Sequence, residues 1–589
     1  MNLGDLSLAC ATALVDELIA AGIRHACLSP GSRSTPLALA LDRHPGVELH
    51  VHLDERSSAF VAVGIAKATG RPAIVATTSG TAAAELLPAV VEASQSRTPL
   101  VLVTADRPPR VRGTGANQTI LQPGLFGEYV RATLDLPVPT TEGHDAWWRQ
   151  AAREALGAMA EDPIGPVHLN CPFEEPLTPG AAVEHEPPTA PVGSSDRPEA
   201  ELDPSEMDRL AELISGARGA VVVGGLPPYL GAGTQTWSLL MGWPVLAEPI
   251  SNARLPGDAL AAGQSVIGSS WGARYPPEVV IQLGAAPTTR ATQGFVASAA
   301  RLVVADRWHL DPDPDRLATW RLAVDPEALP GLATHPVAQG DGAFIALTGQ
   351  RTPEEIEGLW AGRVDPAPPE WTAEWRSADQ RARTAIDELM DEWREPFEPR
   401  VARDVAAWMP RGGRLFVGNS TPVRDLDLAM APREGLTVVA NRGASGIDGL
   451  VSTAIGIAAT RRGPTAALLG DLSVVHDSGA LLWNGARDVD LTLVVLNNGG
   501  GHVFSLLPQR DLPEHRRLFV TPHAVDFGSL CRAADAGHDR VERASDLRPA
   551  LDRAAAARGL NVVEVVVDAE LGLRRRQELR DEIDRVLTA

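Results

Sequence analysis

An aspartate and an asparagine pair in the C-terminal third of the chain have side chains that suit a divalent metal ion. Gly470-Asp471-Leu472-Ser473 follows the apolar run 465–469, and Asn497-Asn498-Gly499-Gly500 follows the apolar run 491–496. Carboxylate, amide and backbone carbonyl oxygens are ligands that Mg²⁺ prefers, with phosphate oxygens and water completing its octahedron. The pattern predicts a metal site at Asp471 and Asn498, although the same letters are also typical of two ordinary turns.

The two apolar runs are predicted to be parallel strands that bring these residues together. Residues 474–487 between them have the composition of a crossover helix, so the segment is predicted to be a strand–helix–strand unit. The carboxyl ends of parallel strands meet at one edge of a sheet, which is where ligands bind in open α/β sheets. We therefore expect Asp471 and Asn498 to face the same ligand.

A second polar segment with possible chemistry lies near the N-terminus. His52-Leu53-Asp54-Glu55-Arg56 lies between a predicted strand, 50–53, and a predicted helix, 58–69. A glutamate just before a helix is often a capping group or a group stabilised by the helix dipole, and that interpretation stays open. Further on, Thr77-Thr78-Ser79-Gly80-Thr81 again joins a strand to a helix, which exposes backbone amides to a ligand.

The elements that must position these residues follow an alternating pattern. Short apolar runs alternate with Ala- and Leu-rich helical stretches, which is typical of doubly wound α/β domains, because strands buried on both faces read as continuous apolar segments. The predicted strands are 25–28, 50–53, 73–77, 100–104, 167–170, 220–223, 279–283, 302–305, 414–417, 437–439, 465–469, 491–496 and 561–567. Helices are predicted over 6–21, 206–214 and 370–393, and the C-terminal Arg- and Glu-rich segment is predicted to be a solvated helix.

We expect three α/β domains in series, each a doubly wound parallel sheet. Their predicted bounds are 1–180, 200–363 and 370–589. Residues 176–204 and 364–369 lack apolar periodicity and are rich in Pro, so they are predicted to be linkers. Gly224-Gly225 follows a strand without a GxGxxG pattern, and we do not expect the middle domain to bind a dinucleotide.

Composition excludes several classes of function. The net charge is −22 and no basic run occurs, which argues against general nucleic-acid binding. Lys67 is the single lysine among 53 basic residues, so arginine must supply almost any cation that binds an anion. The four cysteines lie far apart without a CxxC pair, and neither a signal peptide nor a membrane-spanning run is predicted. We expect a cytoplasmic protein without membrane insertion.

Together, the glutamate at a strand end and the Gly-Asp…Asn-Asn motif resemble the thiamine-diphosphate-dependent enzymes. Within them, the chain resembles the 2-succinyl-5-enolpyruvyl-6-hydroxy-3-cyclohexene-1-carboxylate synthase family of menaquinone biosynthesis. The resemblance is carried by the segments 29–36, 52–58, 77–85, 104–109, 117–118, 418–420, 441–449 and 470–473. Thiamine-diphosphate enzymes often have Gly after the metal-binding Asp, whereas this chain has Leu472, and that departure is itself similar to the synthase family.

The resemblance implies a cofactor and the residues that bind it. Thiamine diphosphate would bind together with Mg²⁺ or Mn²⁺, with Glu55 as the catalytic acid beside the pyrimidine ring and Ile447 as the apolar residue that bends the cofactor. The metal ligands would be Asp471, Asn498 and Gly500. The other implied cofactor contacts are Thr78, Ser79, Gly80, Ser420, Leu472 and Ser473.

The resemblance also implies where two substrates bind. For 2-oxoglutarate the implied residues are Ser420, Arg424 and Arg442. For isochorismate they are Ser32, Arg33, Arg107, Asn117 and Gln118. Arg290 matches a basic position of the middle domain, and Val503, Phe504 and Leu507 would form an apolar wall over the ring.

The implied reaction is the decarboxylation of 2-oxoglutarate and the addition of the resulting succinyl carbanion to isochorismate, with release of CO₂. The resemblance further implies a homodimer or a dimer of dimers, with active sites between subunits. Two alternatives remain: another thiamine-diphosphate-dependent decarboxylase or carboligase with a different acceptor, and a non-catalytic paralogue. The intact Glu55, Asp471 and Asn498 favour an enzyme over the paralogue.

Overall fold

Three parallel β-sheets, each flanked by helices, succeed one another along the chain. The computed structural model describes residues 2–140, 144–180, 202–227, 232–233, 240–257, 259–307, 312–324, 333–334, 358, 360, 362–482 and 489–589. The predicted α/β class with three doubly wound sheets is confirmed. The predicted domain bounds stay a prediction.

The first sheet has six strands in the order β2-β1-β3-β4-β6-β5. These are β1 (His25–Leu28), β2 (Glu48–Val51), β3 (Ala73–Thr77), β4 (Leu100–Asp106), β5 (Thr133–Asp135) and β6 (Val167–Pro172). Its helices are Leu3–Ala20, Thr35–Arg43, Glu55–Thr69, Thr81–Ala84, Leu87–Gln95 and His144–Ala160.

The second sheet has five strands in the order β12-β11-β10-β7-β9, beside a short antiparallel pair of β13 with β8. The strands are β7 (Gly219–Val223), β8 (Ala232–Gly233), β9 (Val245–Ala247), β10 (Val279–Leu283), β11 (Arg301–Ala305), β12 (Trp320–Leu322) and β13 (Ala333–Thr334). Its helices are Pro204–Ile214, Gly263–Ile267 and Arg290–Ser298.

The third sheet repeats the topology of the first, in the order β15-β14-β16-β17-β19-β18. The strands are β14 (Gly413–Val417), β15 (Leu436–Val439), β16 (Thr465–Gly470), β17 (Leu491–Asn497), β18 (Gly537–Val541) and β19 (Leu560–Val566). The helices of this part of the chain are Pro369–Glu392, Glu398–Trp408, Thr421–Ala429, Leu450–Ala459, Asp471–His476, Ser478–Leu482, Phe527–Ala534, Ala544–Ala556 and Ala569–Thr588.

The strands that the sequence missed lie at sheet edges or in the short antiparallel pair. The prediction omitted the edge strands β5, β9, β12 and β18 and both strands of the pair, β8 and β13. The edge strand β2 begins two residues before its predicted start, and β4 and β6 each end two residues after their predicted ends. The strand β18 has the sequence Gly-His-Asp-Arg-Val, and only its last residue is buried. Since an edge strand can face water, it does not produce the continuous apolar run that marks a central strand.

Several helix predictions need correction. The helix predicted over 6–21 begins at Leu3 and ends at Ala20. The helix predicted over 58–69 begins at Glu55, because Asp54 caps it by accepting a hydrogen bond from the Ser57 amide. The crossover helix predicted over 474–487 is two short helices, Asp471–His476 and Ser478–Leu482, and residues 483–488 lie outside the described residues. Of the predicted linker 176–204, residues 181–201 lie outside them as well.

The C-terminal segment is predicted to be a solvated helix, but helix Ala569–Thr588 is only partly solvated. One face of it is buried, with Leu579, Ile583 and Leu587 inside the core that also contains the second sheet. Arg575 is buried as well, while the other charged residues of the helix are exposed or half-buried. Composition alone therefore did not reveal that this is an amphipathic packing helix. None of the described helices is both long and apolar enough to cross a bilayer.

The first and third sheets share one hydrophobic core. Helix Glu55–Thr69 packs against helix Leu450–Ala459, and residues of both helices belong to the same buried cluster. A Cβ atom at Gly64 would lie 2.1 Å from the carbonyl oxygen of Thr453, and one at Gly456 would lie 2.0 Å from that of Val61. The two helix backbones therefore touch at positions where no larger residue fits.

We predict that Gly64→Ala lowers the stability of the full chain, because the added methyl group collides with the Thr453 carbonyl. Overpacking of this kind costs about 1–3 kcal/mol. Gly157→Ala is the matched control, since Gly157 is also helical and nothing lies within 4 Å of its Cβ position. It should be neutral or stabilising by up to about 1 kcal/mol. Denaturation midpoints of the two variants measure this, and equal midpoints would contradict the close packing.

Candidate functional site

The carboxylate of Asp471 holds the ends of two neighbouring strands of the third sheet together. Its Oδ1 accepts a hydrogen bond of 2.6 Å from the Leu472 amide, and its Oδ2 accepts bonds from the amides of Gly499 (2.8 Å) and Gly500 (3.0 Å). Burial raises the pKa of Asp471, while these amide bonds and His523, at 3.2 Å, act in the opposite direction. The structure therefore brings Asp471 together with the segment that follows β17.

Asn498 offers an oxygen at the same edge. Its Oδ1 is buried and has no hydrogen-bond partner among the described residues, while its Nδ2 lies 3.5 Å from Glu398 Oε1. A buried amide oxygen without a partner is costly unless a ligand completes it. A carboxylate keeps lone pairs for a cation even while it accepts amide bonds. Asp471 and Asn498 therefore fit a divalent metal ion.

Space above these two residues is provided by glycine. Nothing lies within 4 Å of the Cβ position of Gly470 or of Gly499, and Gly499 has a positive φ of 78°. By contrast, a Cβ at Gly500 would lie 2.4 Å from the carbonyl oxygen of Val520. The loop after β17 is thus open on one side, where a ligand can enter, and packed on the other.

The loop after β14 has strained backbone at a predicted binding residue. Ser420 adopts φ 74° and ψ −126°, which a residue with a side chain rarely adopts. Gly80, in the loop after β3 of the first sheet, adopts the similar angles of φ 85° and ψ −140°. Each of these residues is the N-cap of a helix. The Arg424 guanidinium donates to the Ser420 carbonyl oxygen at 2.5 Å.

Asn419 joins this loop to the loop after β15. Its Nδ2 donates to the carbonyl oxygens of Asn441 and Gly446, both at 2.7 Å, and its Oδ1 accepts a bond of 3.1 Å from Arg442. Burial lowers the pKa of Arg442, and the positive charge of Arg424 acts in the same direction. The two arginines predicted to bind the donor thus lie close enough to repel one another, and an anion between them would relieve that repulsion.

The second sheet contributes a buried carboxylate to this group. Glu248 accepts hydrogen bonds from the Thr288 amide (2.6 Å) and hydroxyl (3.1 Å), and its charge acts on Arg442. Burial raises the pKa of Glu248 to about 7, and the negative charge of Asp427 adds to the shift. Arg290 lies two residues after Thr288 as the exposed first residue of a helix.

Ile447 lies in a segment pressed against the first sheet's helix. It is 39% exposed, and a Cβ on the nearby Gly449 would lie 2.0 Å from the ring of Phe60. Phe60 belongs to helix Glu55–Thr69. The same helix contacts the third sheet at its N-terminus, where Arg56 donates to the carbonyl oxygen of His476 at 3.3 Å.

Glu55 is the first residue of its helix and is half-buried. Burial raises its pKa, and the charges of Asp54 and Glu85 add to the shift. Three further buried polar atoms at the ends of neighbouring strands make no hydrogen bond to the described part of the chain: Ser29 Oγ, His52 Nε2 and Thr77 Oγ1. A carboxyl with a raised pKa beside unpartnered polar groups is typical of a ligand site.

The loop after β3 is bound to the predicted acceptor residues. Ser79 donates to the carbonyl oxygen of Gln118 at 3.1 Å, and Gln118 Nε2 donates to that of Ser79 at 2.9 Å. The guanidinium of Arg107 also donates to the Ser79 hydroxyl. A Cβ at Gly31 would lie 2.3 Å from that of Thr78, so the loop after β1 reaches the same place. Ser32 is exposed on the loop after β1, and Asn117 is exposed on the segment after β4.

Arg33 is buried and already has partners. It donates to the carbonyl oxygen of Phe173 and to Glu175 Oε1, both at 2.9 Å, and its Nε has no hydrogen-bond partner within the described ranges. A substrate carboxylate would therefore have to compete with Glu175, which is largely exposed.

The apolar wall predicted after the asparagine pair is half-buried. Val503 and Phe504 lie within a short 3₁₀ turn, His502–Leu506, and Leu507 directly follows it. The centres of the Phe504 and Phe519 rings lie 5.6 Å apart. A Cβ at Gly501 would lie 3.4 Å from both Leu472 and Phe504, so these two side chains are neighbours.

A cavity of about 890 Å³ extends from this turn to the C-terminal helix. Its lining includes Arg424, Ser505, Leu506, Arg510 and Arg576. Arg576 donates to Asp425 at 2.6 Å and lies 3.7 Å from Glu398, which in turn contacts Asn498. The sequence did not point to Arg576, Glu398 or Glu248, because each lies on an ordinary stretch far along the chain from any motif.

Comparison with known proteins defines the class of this site. Residues 8–125 match the thiamine pyrophosphate enzyme N-terminal TPP binding domain, and residues 426–565 match the corresponding C-terminal TPP binding domain. These segments contain Glu55 and Asp471 respectively. The chain is a member of the thiamine pyrophosphate (thiamine diphosphate) enzymes.

Similar proteins define the family more narrowly. A 2-succinyl-5-enolpyruvyl-6-hydroxy-3-cyclohexene-1-carboxylate synthase of Chloroflexus aurantiacus is 40% identical over 94% of this chain and 92% of its own. A protein of the same name from Thermobifida fusca is 40% identical over 98% of this chain and 99% of its own. Another from Halobacterium salinarum is 37% identical over 97% of this chain and 97% of its own. The chain belongs to the 2-succinyl-5-enolpyruvyl-6-hydroxy-3-cyclohexene-1-carboxylate synthase family.

The raised pKa of Glu248 predicts a pH dependence of stability. Between its ordinary value and about 7, the folded chain binds a proton that the unfolded chain does not, so this carboxyl makes unfolding easier as the pH rises through that window. The resulting decrease in the free energy of unfolding is on the order of 3 kcal/mol. In Glu248→Gln this component is absent, so the stability of the variant relative to wild type should rise between pH 5 and 7.

Denaturant titrations at several pH values measure that difference. Glu278→Gln is the control, because the Arg218 amide and side chain lower the pKa of Glu278, so its contribution changes only below its ordinary value and the gap to wild type should stay constant between pH 5 and 7. If the gap between Glu248→Gln and wild type does not change with pH, the carboxyl does not titrate in this window.

Proposed function

We propose that the chain decarboxylates 2-oxoglutarate and joins the remaining succinyl unit to isochorismate, giving 2-succinyl-5-enolpyruvyl-6-hydroxy-3-cyclohexene-1-carboxylate. The observation that carries this proposal is the near-full-length similarity to synthases of that name. The pair of arginines near a metal-fitting edge supports it, because the donor and the acceptor of this reaction are both dicarboxylates.

Thiamine diphosphate supplies, when bound, an acidic ring carbon that adds to a 2-oxo acid and accepts the electrons left when CO₂ departs. In this proposal Asp471, Asn498 and the Gly500 carbonyl hold Mg²⁺ or Mn²⁺, which binds the diphosphate. The unpartnered Asn498 oxygen supports the metal assignment. The loops carrying Ser420, Leu472 and Ser473, and those carrying Thr78, Ser79 and Gly80, supply the remaining cofactor contacts.

Glu55 would hold a proton against the pyrimidine nitrogen of the cofactor. A carboxyl can do this when its pKa lies above its ordinary value, and burial shifts the Glu55 carboxyl in that direction. Ile447, which is exposed in this chain, would pack against the cofactor and fix its conformation.

The two substrates would bind on opposite sides of this centre. Arg424 and Arg442, with the Ser420 hydroxyl, would hold the distal carboxylate of 2-oxoglutarate. On the other side, Arg107 and Gln118, held by Ser79, would position isochorismate together with Ser32, Arg33 and Asn117. Val503, Phe504 and Leu507 would exclude water from the ring, and Arg290 would add positive charge at the rim.

The proposal includes a homodimer, or a dimer of dimers, with active sites between subunits. The exposed Leu53 beside Glu55 supports this, since its side chain would gain a partner on association. We propose a cytoplasmic location, which the four buried, unpaired cysteines support. A second candidate function is that of a thiamine-diphosphate carboligase with another acceptor, which would use the same cofactor residues and bind that acceptor at Arg33, Arg107 and Gln118.

We predict that Glu55→Gln abolishes turnover while the cofactor still binds. The amide nearly preserves the shape of the carboxyl but cannot exchange the proton, a loss worth about 10²- to 10⁴-fold. In contrast, Asp471→Ala should lose both cofactor binding and turnover. Calorimetric titration with thiamine diphosphate and Mg²⁺, and CO₂ release from 2-oxoglutarate, separate the two outcomes.

Glu128→Gln, at an exposed carboxyl, is the control and should behave as wild type. More than about a tenth of wild-type turnover in Glu55→Gln would exclude the proposed role of Glu55. Full cofactor binding by Asp471→Ala would mean that the metal assignment is wrong.

A further inference from the structure

Three metal-binding side chains meet at the amino ends of β1 and β2, at the opposite edge of the first sheet from Glu55. His25 is paired in register with Glu48, and His50 lies two residues further along β2. Because side chains alternate along a strand, Glu48 and His50 project from the same face of β2. The nearest ligand atoms of the three residues all lie within 4.8 Å of one another.

The distances between these atoms match a tetrahedral transition-metal site. His25 Nδ1 lies 3.2 Å from His50 Nε2 and 3.7 Å from Glu48 Oε2. Two nitrogens bound to one Zn²⁺ at about 2.0–2.1 Å each lie roughly 3.3 Å apart at the tetrahedral angle. The imidazoles are therefore already at the required separation, and only the Glu48 carboxylate, 45% exposed, has to move closer.

The charges around the three residues are mixed. The positive charge of Arg462 acts on His25, and that of Arg461 acts on His50, while Glu48 acts on both in the opposite direction. The carboxylate offsets part of the repulsion that the arginines would exert on a cation. Coordinate bonds from two nitrogens must supply the rest, which favours a transition metal over Mg²⁺ or Ca²⁺.

We propose that His25, Glu48 and His50 bind one divalent transition-metal ion such as Zn²⁺, with water as the fourth ligand. This site is separate from the oxygen site at Asp471 and Asn498, in both its ligand type and its place in the fold. The ion would join β1 to the edge strand β2, beside the Arg461-Arg462 segment of the third sheet.

Cobalt absorption tests the proposal on the full-length, tag-free chain. Excess Mg²⁺ is present to occupy oxygen sites, and Co²⁺ is the probe because a tetrahedral Co²⁺ site absorbs visible light. We expect one Co²⁺ per chain, displaced by one Zn²⁺. His50→Ala and Glu48→Gln should weaken binding by more than about tenfold, since even the loss of an outer partner of a ligand costs about that much.

His538→Ala is the control, because His538 is similarly buried and pairs with a carboxylate, Glu564, at 3.0 Å. It should bind Co²⁺ as wild type does. Glu48→Gln changes an exposed side chain, so the test remains valid if His50→Ala fails to fold. Absence of the tetrahedral absorption in wild type, or its retention in both variants, would overturn the proposal and identify the 3.2 Å contact as a hydrogen bond between imidazoles.

Discussion

The single lysine of the chain joins the first sheet to the third. Lys67 is buried near the C-terminus of helix Glu55–Thr69, and its Nζ donates to Glu92 (2.8 Å), to the Ala440 carbonyl oxygen (2.9 Å) and to Asn441 Oδ1 (3.0 Å). Each of its three protons therefore has an acceptor. Removing one partner of such a buried ion pair costs about 3–5 kcal/mol, because the remaining charge is left without compensation.

The position of the candidate site depends on this contact. Glu92 also accepts bonds from the amides of Gly443 (3.1 Å) and Ala444 (2.7 Å), so it fixes the segment that begins with Arg442 and leads to Ile447. The close packing at Gly64 and Gly456 also holds helix Glu55–Thr69 against helix Leu450–Ala459. At the other side, the buried pair of Arg254 with Asp427, at 2.9 Å, ties the second sheet to the third. These contacts together fix the relative positions of the three sheets around Arg424 and Arg442.

Central strands and motif residues could be predicted from the sequence, because each leaves a local pattern. The strand β3 is buried throughout and its bounds match the prediction, and Asp471 and Asn498 follow the paired strands β16 and β17, as the strand–helix–strand unit required. The start of the helix at Glu55 was missed because its cap, Asp54, was grouped with the polar loop. The fold class needed only the alternation of apolar and helical stretches.

Other features leave no local pattern and could not be predicted. The buried face of the C-terminal helix, and the bonds from Arg576 to Asp425 and from Glu248 to Thr288, join residues far apart in the chain. In an arginine-rich chain, nothing distinguishes Arg576 from a surface residue until the fold is known. The same is true of Arg33, whose hydrogen bonds to Phe173 and Glu175 are visible only in the folded chain.

The joining of a 2-oxo acid to isochorismate can be tested by incubating the full chain with thiamine diphosphate, Mg²⁺, 2-oxoglutarate and isochorismate and identifying the products by mass. We expect a product whose mass is the sum of the two substrates less CO₂, formed only when cofactor and both substrates are present. Release of CO₂ from 2-oxoglutarate without any isochorismate-derived product would contradict it and would indicate a different acceptor.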